Sequence, residues 1–335
     1  MVMKGHGIAL TVGDPAGIGP EITASVINRG KLKAAGNYVI GAAAPVLDLL
    51  APQVLSRIAV ITPGQDYAGH SEEKLVIIDT GDGGGSDLPR RPTPEGGGIS
   101  GKAVKTAIEM AGDGRVEGIV TGPISKEALF LAGYSYRGHT DMLAGLLDSP
   151  DCQMIMVNRD LRVVIMTRDI PLRDVPAAVT GQKILSAVRV TAEGLRINWG
   201  IEHPVIAVSA LNPHAGDGGL IGREEIDIIM PALRQLREEG INVTGPVPAD
   251  TLFYRWKEKS MDACVAMYHD QGMIPFKTMG FERGVNMTIG LPVVRTSVCH
   301  GTAYDLAGKG QANPGSLEAA LELAAECIEI RGGGV

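Results

Sequence analysis

The stretch GIALTVGDPAGIGPEITASVIN, residues 7–28, carries a strand, a turn and a helix in direct succession. Gly7–Val12 is an apolar run of strand length. Gly17 and Gly19 supply a tight turn, and Pro20 suits the first turn of a helix because its missing N–H has no partner there in any case. Pro20–Asn28 reads as that helix. The same alternation continues outward, with strands expected at Tyr38–Gly41, Lys74–Asp79 and Gly118–Thr121. A helix is expected over Ser100–Ala111, where Ala103, Val104, Ala107 and Ile108 recur at helical spacing. Strands alternating with helices predict an α/β architecture with a largely parallel sheet.

Beyond residue 150 the pattern changes. Cys152–Val157 and Leu161–Thr167 are β-type runs joined by Asn158-Arg159-Asp160, which predicts a hairpin. Gly181–Asn198 and Glu224–Glu239 read as helices, Val205–Leu211 as a strand, and Ser316–Ile330 as an amphipathic helix with Ser316 as N-cap. The Gly/Pro-rich stretch 82–98, DGGGSDLPRRPTPEGGG, interrupts the first half and reads as a surface loop, either plain linker or lid.

Length and composition bound the function. A chain of 335 residues suggests about two domains. Apolar residues at 44% and charged residues at 21% suit a globular enzyme. A net charge of -7 without a Lys/Arg run argues against a nucleic-acid partner. No apolar stretch is long enough for a membrane span, and the N-terminus lacks a signal-peptide pattern. The four cysteines, Cys152, Cys264, Cys299 and Cys327, show no CxxC spacing, so reduced thiols in a cytoplasmic protein are expected.

Four segments carry candidate chemistry. The turn Gly13–Glu21 is neither a P-loop, since no GK[ST] follows, nor a dinucleotide fingerprint, since the third glycine is missing. It reads equally as a site or as a structural turn. Gly138-His139-Thr140-Asp141 places an imidazole, a hydroxyl and a carboxylate at an expected helix start, which suits an anion or a substrate hydroxyl. His214, in Leu211–Gly219, and His269, in Tyr268–Gly272, each follow an expected strand, where α/β sites gather. The densest segment is Met267–Arg295. It gathers His269, Asp270, Lys277, Asn286 and Arg295, with Lys277 and Arg295 in segments of strand or strand-loop character. Two histidines and a carboxylate suit a divalent metal. Lys and Arg suit phosphate or carboxylate.

Taken together, TVGDPAGIGPEI (11–22), GHTD (138–141), LNPHAGDGG (211–219), PADTLF (248–253), AMYHDQGMIPFK (266–277), GVNMTIGLPVVRTS (284–297) and HGTAYDLAGKG (300–310) resemble the 4-hydroxythreonine-4-phosphate dehydrogenase family, the PdxA-like enzymes, over nearly the whole chain. The resemblance implies a fold like that of isocitrate and isopropylmalate dehydrogenases, with two α/β subdomains flanking a cleft. One would comprise residues 1–130 plus 285–335, with both termini and the cofactor segment. The other, 131–284, would hold metal and dimer-interface residues. The implied activity is NAD- or NADP-dependent oxidation, with decarboxylation, of a phosphorylated 3-hydroxy acid such as 4-phosphohydroxy-L-threonine, in pyridoxal phosphate biosynthesis. The implied assembly is a homodimer with a shared active site.

By the same resemblance His139, Thr140, Lys277, Asn286 and Arg295 contact substrate, and His214 and His269 bind one divalent metal (Zn, Mg, Mn or Co). The cofactor is expected near Gly290, Leu291 and Gly301, with Asp250 and Asp270 as orienters of the metal ligands. No residue is assigned as the general base. The chain departs from the family pattern at two positions. Asp169 stands where the family has its third metal-binding histidine, which shifts metal preference toward harder ions if it ligates. Cys299 stands where the biosynthetic enzymes usually have Asp. These departures keep two alternatives open. One is a catabolic relative acting on 4-phospho-D-threonate, 4-phospho-D-erythronate or a cis-dihydrodiol. The other is a ligand-binding module without redox chemistry.

Overall fold

The computed structural model describes residues 7–32, 34, 36–65, 74–159, 161–258 and 260–333. Contacts divide the chain into two units, Met1–Ser149 with Leu291–Gly332, and Pro150–Gly290. The first junction therefore counts the GHTD segment with the first unit.

The first unit is built on strands β1 (Ile8–Thr11), β2 (Tyr38–Gly41), β3 (Ile58–Ile61), β4 (Leu75–Asp79) and β5 (Gly118–Thr121), together with β12 (Val294–Val298). They lie in the order β3-β4-β2-β1-β5-β12, every pairing parallel. β1, β2, β4, β5 and β12 are buried along their whole length, which explains why they read as unbroken apolar runs rather than alternating ones. The opening stretch behaves as expected: β1 leads through the glycine turn into helix Gly19–Asn28 with proline in its first turn.

The strand order reverses at β1, with β2 on one side and β5 on the other. A crevice opens beside the carboxyl ends of strands at such a reversal. The loops after β1 and β5 meet there, Asp14 donating its amide to the Pro123 carbonyl at 2.9 Å.

The expected loop over 82–98 ends at Thr93. Helix Pro94–Gly112 starts there, capped by the Thr93 hydroxyl, which accepts from the Gly96 amide at 3.0 Å. Gly96, Gly97 and Gly98 are helical. A Cβ at Gly97 would lie 1.9 Å from the carbonyl oxygen of Ala128, so glycine lets this helix press on helix Lys126–Leu131.

The second unit contains β6 (Gln153–Asn158), β7 (Leu161–Thr167), β8 (Ile206–Ser209), β9 (Val243–Val247), β10 (Ala263–Tyr268) and β11 (Val285–Ile289). The order is β11-β6-β7-β10-β8-β9; β11–β6 and β6–β7 are antiparallel and the rest parallel. The expected hairpin forms, pairing Asn158 with Leu161 around Arg159 at φ 49°. Asp160, the third residue of the expected turn, lies outside the described residues. Helix Gly181–Trp199 is capped by Thr180 and closed by left-handed Gly200. The expected helix 224–239 begins as a π-helical turn, Glu225–Ile229, before becoming regular over Met230–Glu238. No helix among the described residues is long and apolar enough to cross a membrane.

Candidate functional site

In the first unit, the neighbouring strands β5 and β12 carry Thr121 and Arg295 two register positions apart, within side-chain reach, and helix His139–Leu146 brings His139 to them. Arg295 is only 1% exposed and donates from Nη2 to the Thr121 hydroxyl at 2.7 Å. His139 is half-buried as a residue, but its Nε2 is buried and has no hydrogen-bond partner. Burial, reinforced by the positive charge of Arg295, holds the His139 pKa well below the usual histidine value of 6.5. The imidazole is therefore neutral at physiological pH. Asp141 caps this corner by accepting from the Arg137 amide at 3.0 Å, and Thr140 lies half-buried in the first turn.

Around the β1 turn, Asp14 accepts from the Tyr304 hydroxyl at 2.7 Å and from the Ala16 amide at 3.0 Å. Burial raises the Asp14 pKa despite these bonds. Glu21 accepts from the amides of Gly308 and Gly310. Both carboxylates thus tether the 300–310 segment to the GDPAGIGPE turn. A cavity of about 520 Å³ borders this seam, lined by Pro15, Gly17, Glu21, Arg90, Gly308 and Gly310 among others. Of the expected cofactor residues, Leu291 is buried, Gly301 is exposed, and Gly290 turns the chain with φ 83° at the end of the second unit. The Cys299 amide donates to the Ser316 hydroxyl oxygen at 3.0 Å.

In the second unit, Asp169, His214 and His269 all follow parallel strands of one continuous set. β7, β10 and β8 are adjacent, with Thr167 level with Tyr268. The fold therefore carries all three expected donors to one sheet edge. All three are exposed, and two of them, Asp169 and His214, have left-handed backbones at φ 49° and 51°. His269 Nδ1 pairs with Asp270 Oδ1 at 2.7 Å, the arrangement expected of an orienting carboxylate, and Nε2 remains for a ligand. Among the described residues, no three His, Cys, Asp or Glu side chains are already gathered into a metal-holding group. The donor types and their common edge fit a divalent ion. Asp250 is exposed in the first turn of helix Ala249–Arg255.

Lys277 is placed differently from the sequence reading. It is exposed in the last turn of helix His269–Gly280, with Nζ 5.3 Å from the Phe281 ring centre, and not in a strand. The helix forms despite Pro275 because its buried face, Gly272, Met273 and Phe276, recurs at helical spacing. Asn286 lies on β11, opposite Met156, with its buried Oδ1 unbonded.

The loop bearing His214 is unusual. His214, Ala215, Gly216, Asp217 and Gly218 all have positive φ, between 44° and 78°, making a left-handed turn. Each of the three non-glycine residues costs about 1–2 kcal/mol in that conformation. Glu225, 1% exposed, sits beneath it and accepts from the Leu211 and Asn212 amides. Sequence reading missed Glu225 as well as Thr121 and the Asp14–Tyr304 pair. A signal for Glu225 was present: Ile229 and Leu233 follow it four and eight residues on, so it shares the buried face of its helix.

The family model described as pyridoxal phosphate biosynthetic protein PdxA matches residues 34–324 of the chain. A 4-hydroxythreonine-4-phosphate dehydrogenase of Desulforapulum autotrophicum is 41% identical over 328 residues, spanning 97% of this chain and 96% of that one. A protein of Bradyrhizobium diazoefficiens bearing the name "Putative D-threonate 4-phosphate dehydrogenase" is 39% identical, with 96% of each chain covered. The solved 4-hydroxythreonine-4-phosphate dehydrogenase of Klebsiella pneumoniae superposes with a TM-score of 0.84 at 39% identity, covering 97% of this chain and 98% of its own. The β-decarboxylating dehydrogenase of Thermococcus kodakarensis, 14% identical with a TM-score of 0.51 over 98% of this chain and 88% of its own, shares the fold. The α/β fold of a β-decarboxylating dehydrogenase is thereby shown.

Proposed function

From its place in the pyridoxal phosphate biosynthetic PdxA family, to which this chain belongs, we propose that it is an NAD(P)-dependent dehydrogenase that oxidises and decarboxylates a phosphorylated 3-hydroxy acid, with 4-phosphohydroxy-L-threonine as first candidate. The observation that carries the substrate class is Arg295, a buried guanidinium fixed by Thr121 and facing a histidine held neutral. A buried fork of this kind recognises a planar or tetrahedral anion. Neutral His139, with Nε2 unbonded, hydrogen-bonds the same ligand without adding charge. Thr140, Lys277 and Asn286 complete the proposed substrate contacts.

His214 and His269, with Asp169, are the residues that would hold a divalent ion. A divalent ion held by these residues would supply Lewis-acid stabilisation of negative charge on the substrate oxygen. Asp270 fixes the His269 tautomer, presenting Nε2 as donor. The nicotinamide cofactor is assigned to the 290–310 segment and its neighbouring cavity, on the support of the Glu21 and Asp14 tethers that order that segment. A homodimer is supported by a cluster of exposed apolar side chains in the second unit, Leu220 (86% exposed), Ile221, Ile226 and Met230. Four free cysteines support a cytoplasmic location.

The test is NADH and NADPH formation from 4-phosphohydroxythreonine, 4-phospho-D-threonate and 4-phospho-D-erythronate, with and without EDTA. Metal-dependent turnover of the first supports the proposal. Preference for the second moves the chain beside its threonate relative. Absence of turnover on all three, with metal supplied, would sink the phosphorylated-acid reading.

A further inference from the structure

Glu225 is a carboxylate in the interior of the second unit, 1% exposed, whose hydrogen bonds all come from the base of the His214 turn. Its Oε1 accepts from the amides of Leu211 at 2.8 Å and Asn212 at 2.7 Å. Its Oε2 accepts from Asn212 Nδ2 at 2.9 Å, and that nitrogen also donates to Glu224 Oε2 at 2.7 Å. The turn closes tightly on the same group. A Cβ at Gly216 would lie 2.7 Å from Glu225 Oε2, and one at Gly222 would lie 2.4 Å from Asn212 Nδ2. The Ile221 amide bonds the Gly216 carbonyl at 3.1 Å, completing the loop. The left-handed backbone at His214, Ala215 and Asp217 needs such outside support, because isolated L-residues disfavour it.

We infer that Glu225 is the positioning residue of the metal site, holding His214 in place as a donor by anchoring Leu211 and Asn212. The inference rests on the reading of His214 as a metal ligand. Nothing requires a carboxylate for stability here, since burying one is costly and a neutral acceptor would satisfy the two amides. What a carboxylate adds is a second acceptor for Asn212, which locks the side chain preceding Pro213 and His214. Partners of this kind, bonded to ligand-bearing segments, govern metal affinity in the range of about 10–100-fold.

Glu225→Gln isolates that contribution. The glutamine oxygen keeps both amides, but its NH₂ faces Asn212 Nδ2, donor against donor. Asn212 cannot turn its oxygen inward without setting it against the Glu224 carboxylate. Adding Glu224→Gln removes that obstacle and lets Asn212 flip, so the double variant is the rescue. The experiment titrates the full chain, stripped with EDTA, with Co²⁺, following heat and the visible ligand-field spectrum. Melting of each metal-free variant serves as the folding control. The expected result is a roughly 10-fold loss of Co²⁺ affinity in Glu225→Gln, with metal-free melting nearly unchanged, and recovery to within about 3-fold in Glu224→Gln/Glu225→Gln. Gly216→Ala strikes the same contact from the loop and should weaken Co²⁺ similarly, so the test stands if Glu225→Gln folds poorly. His214→Ala should lose binding and its spectral signature. Wild-type affinity in both Glu225→Gln and Gly216→Ala, with binding lost in His214→Ala, overturns the role of Glu225 alone. Wild-type affinity in His214→Ala overturns the ligand reading beneath it.

Discussion

Two adjacent glycines in helix Pro94–Gly112 should respond to alanine with opposite sign. At Gly98 a new Cβ meets nothing within 4 Å, and the backbone has ordinary helical dihedrals. Alanine there gains helix propensity and restricts the unfolded chain, stabilising by about 0.5–1 kcal/mol. At Gly97 the new Cβ would lie 1.9 Å from the Ala128 carbonyl oxygen and 2.3 Å from its carbon, where ordinary contact begins at 3.4 Å. The obstacle is backbone, so the two helices must separate by more than 1 Å. Overpacking of this kind costs about 1–3 kcal/mol, and the contact at Gly97 belongs at the upper end of that range.

After the propensity gain of about 0.5–1 kcal/mol is subtracted from about 3 kcal/mol, Gly97→Ala should destabilise by about 2–2.5 kcal/mol. For a unit of this size that is a fall in melting temperature of about 4–10 °C, against a rise of about 1–4 °C for Gly98→Ala. Calorimetry and urea titration of both variants provide the measurement. The consequence reaches the proposed substrate pocket, since helix Lys126–Leu131 carries Lys126, whose stem lies 3.7 Å from where a Gly138 Cβ would sit, next to His139. Gly97→Ala should therefore raise KM more than it lowers kcat. Equal stability of the two variants would refute the claim that glycine at 97 is there for helix contact.

His139 gives the chain a pH dependence whose sign is fixed. Its folded-state pKa lies below 6.5, so on acidification the unfolded chain gains a proton that the folded chain refuses. This contribution to stability is full above pH 6.5 and is lost as pH falls below it, with a slope of at most about 1.4 kcal/mol per pH unit; urea titrations from pH 7.5 to 5 should show the slope flattened in His139→Asn. Arg295→Lys keeps the charge but loses the Thr121 bond and the fork. A charge-assisted hydrogen bond is worth about 1.5–3 kcal/mol, so kcat/KM for a phosphorylated substrate should drop about 10–150-fold, and an unchanged value would remove Arg295 from the pocket. Asp169→His should shift metal selectivity from Mg²⁺ toward Zn²⁺ in competitive equilibrium dialysis; identical selectivity would mean that Asp169 is not a ligand.

The fold was legible where periodicity and turn chemistry agreed. β7 has the expected bounds, Leu161–Thr167, and helix Gly181–Trp199 extends only one residue beyond the expected end. Legibility failed where a local signal was outvoted. Thr93-Pro94-Glu95 is a capped helix start, but three following glycines argued for a loop; the packing against Ala128 that makes glycine necessary is a tertiary fact. Lys277 read as strand because of its apolar neighbours, whereas Gly272, Met273 and Phe276 are the buried face of a helix. The π-helical turn at Glu225–Ile229 has no local signature at all.

The candidate site divides along the same line. His214 and His269 follow apolar strands, His139 opens a helix, and Arg295 lies inside an apolar strand; these are residue types with few reasons to sit at such places, so their positions alone drew attention. The groups that hold them are of types common on any surface. Thr121, Glu21 and Glu225 become conspicuous only when burial and partners are known. Glu225 shows why. In the sequence it is half of an acidic pair, Glu224-Glu225, and only the apolar stripe through Ile229 and Leu233 distinguishes the buried member from the half-buried one. The half-buried member still matters, because Glu224 fixes the orientation of Asn212 that Glu225 exploits. Substrate and metal contacts can thus be proposed from a chain's chemistry. The preorganisation behind them has to be traced through buried partners, and at the proposed metal site the trail leads to one carboxylate under a strained turn.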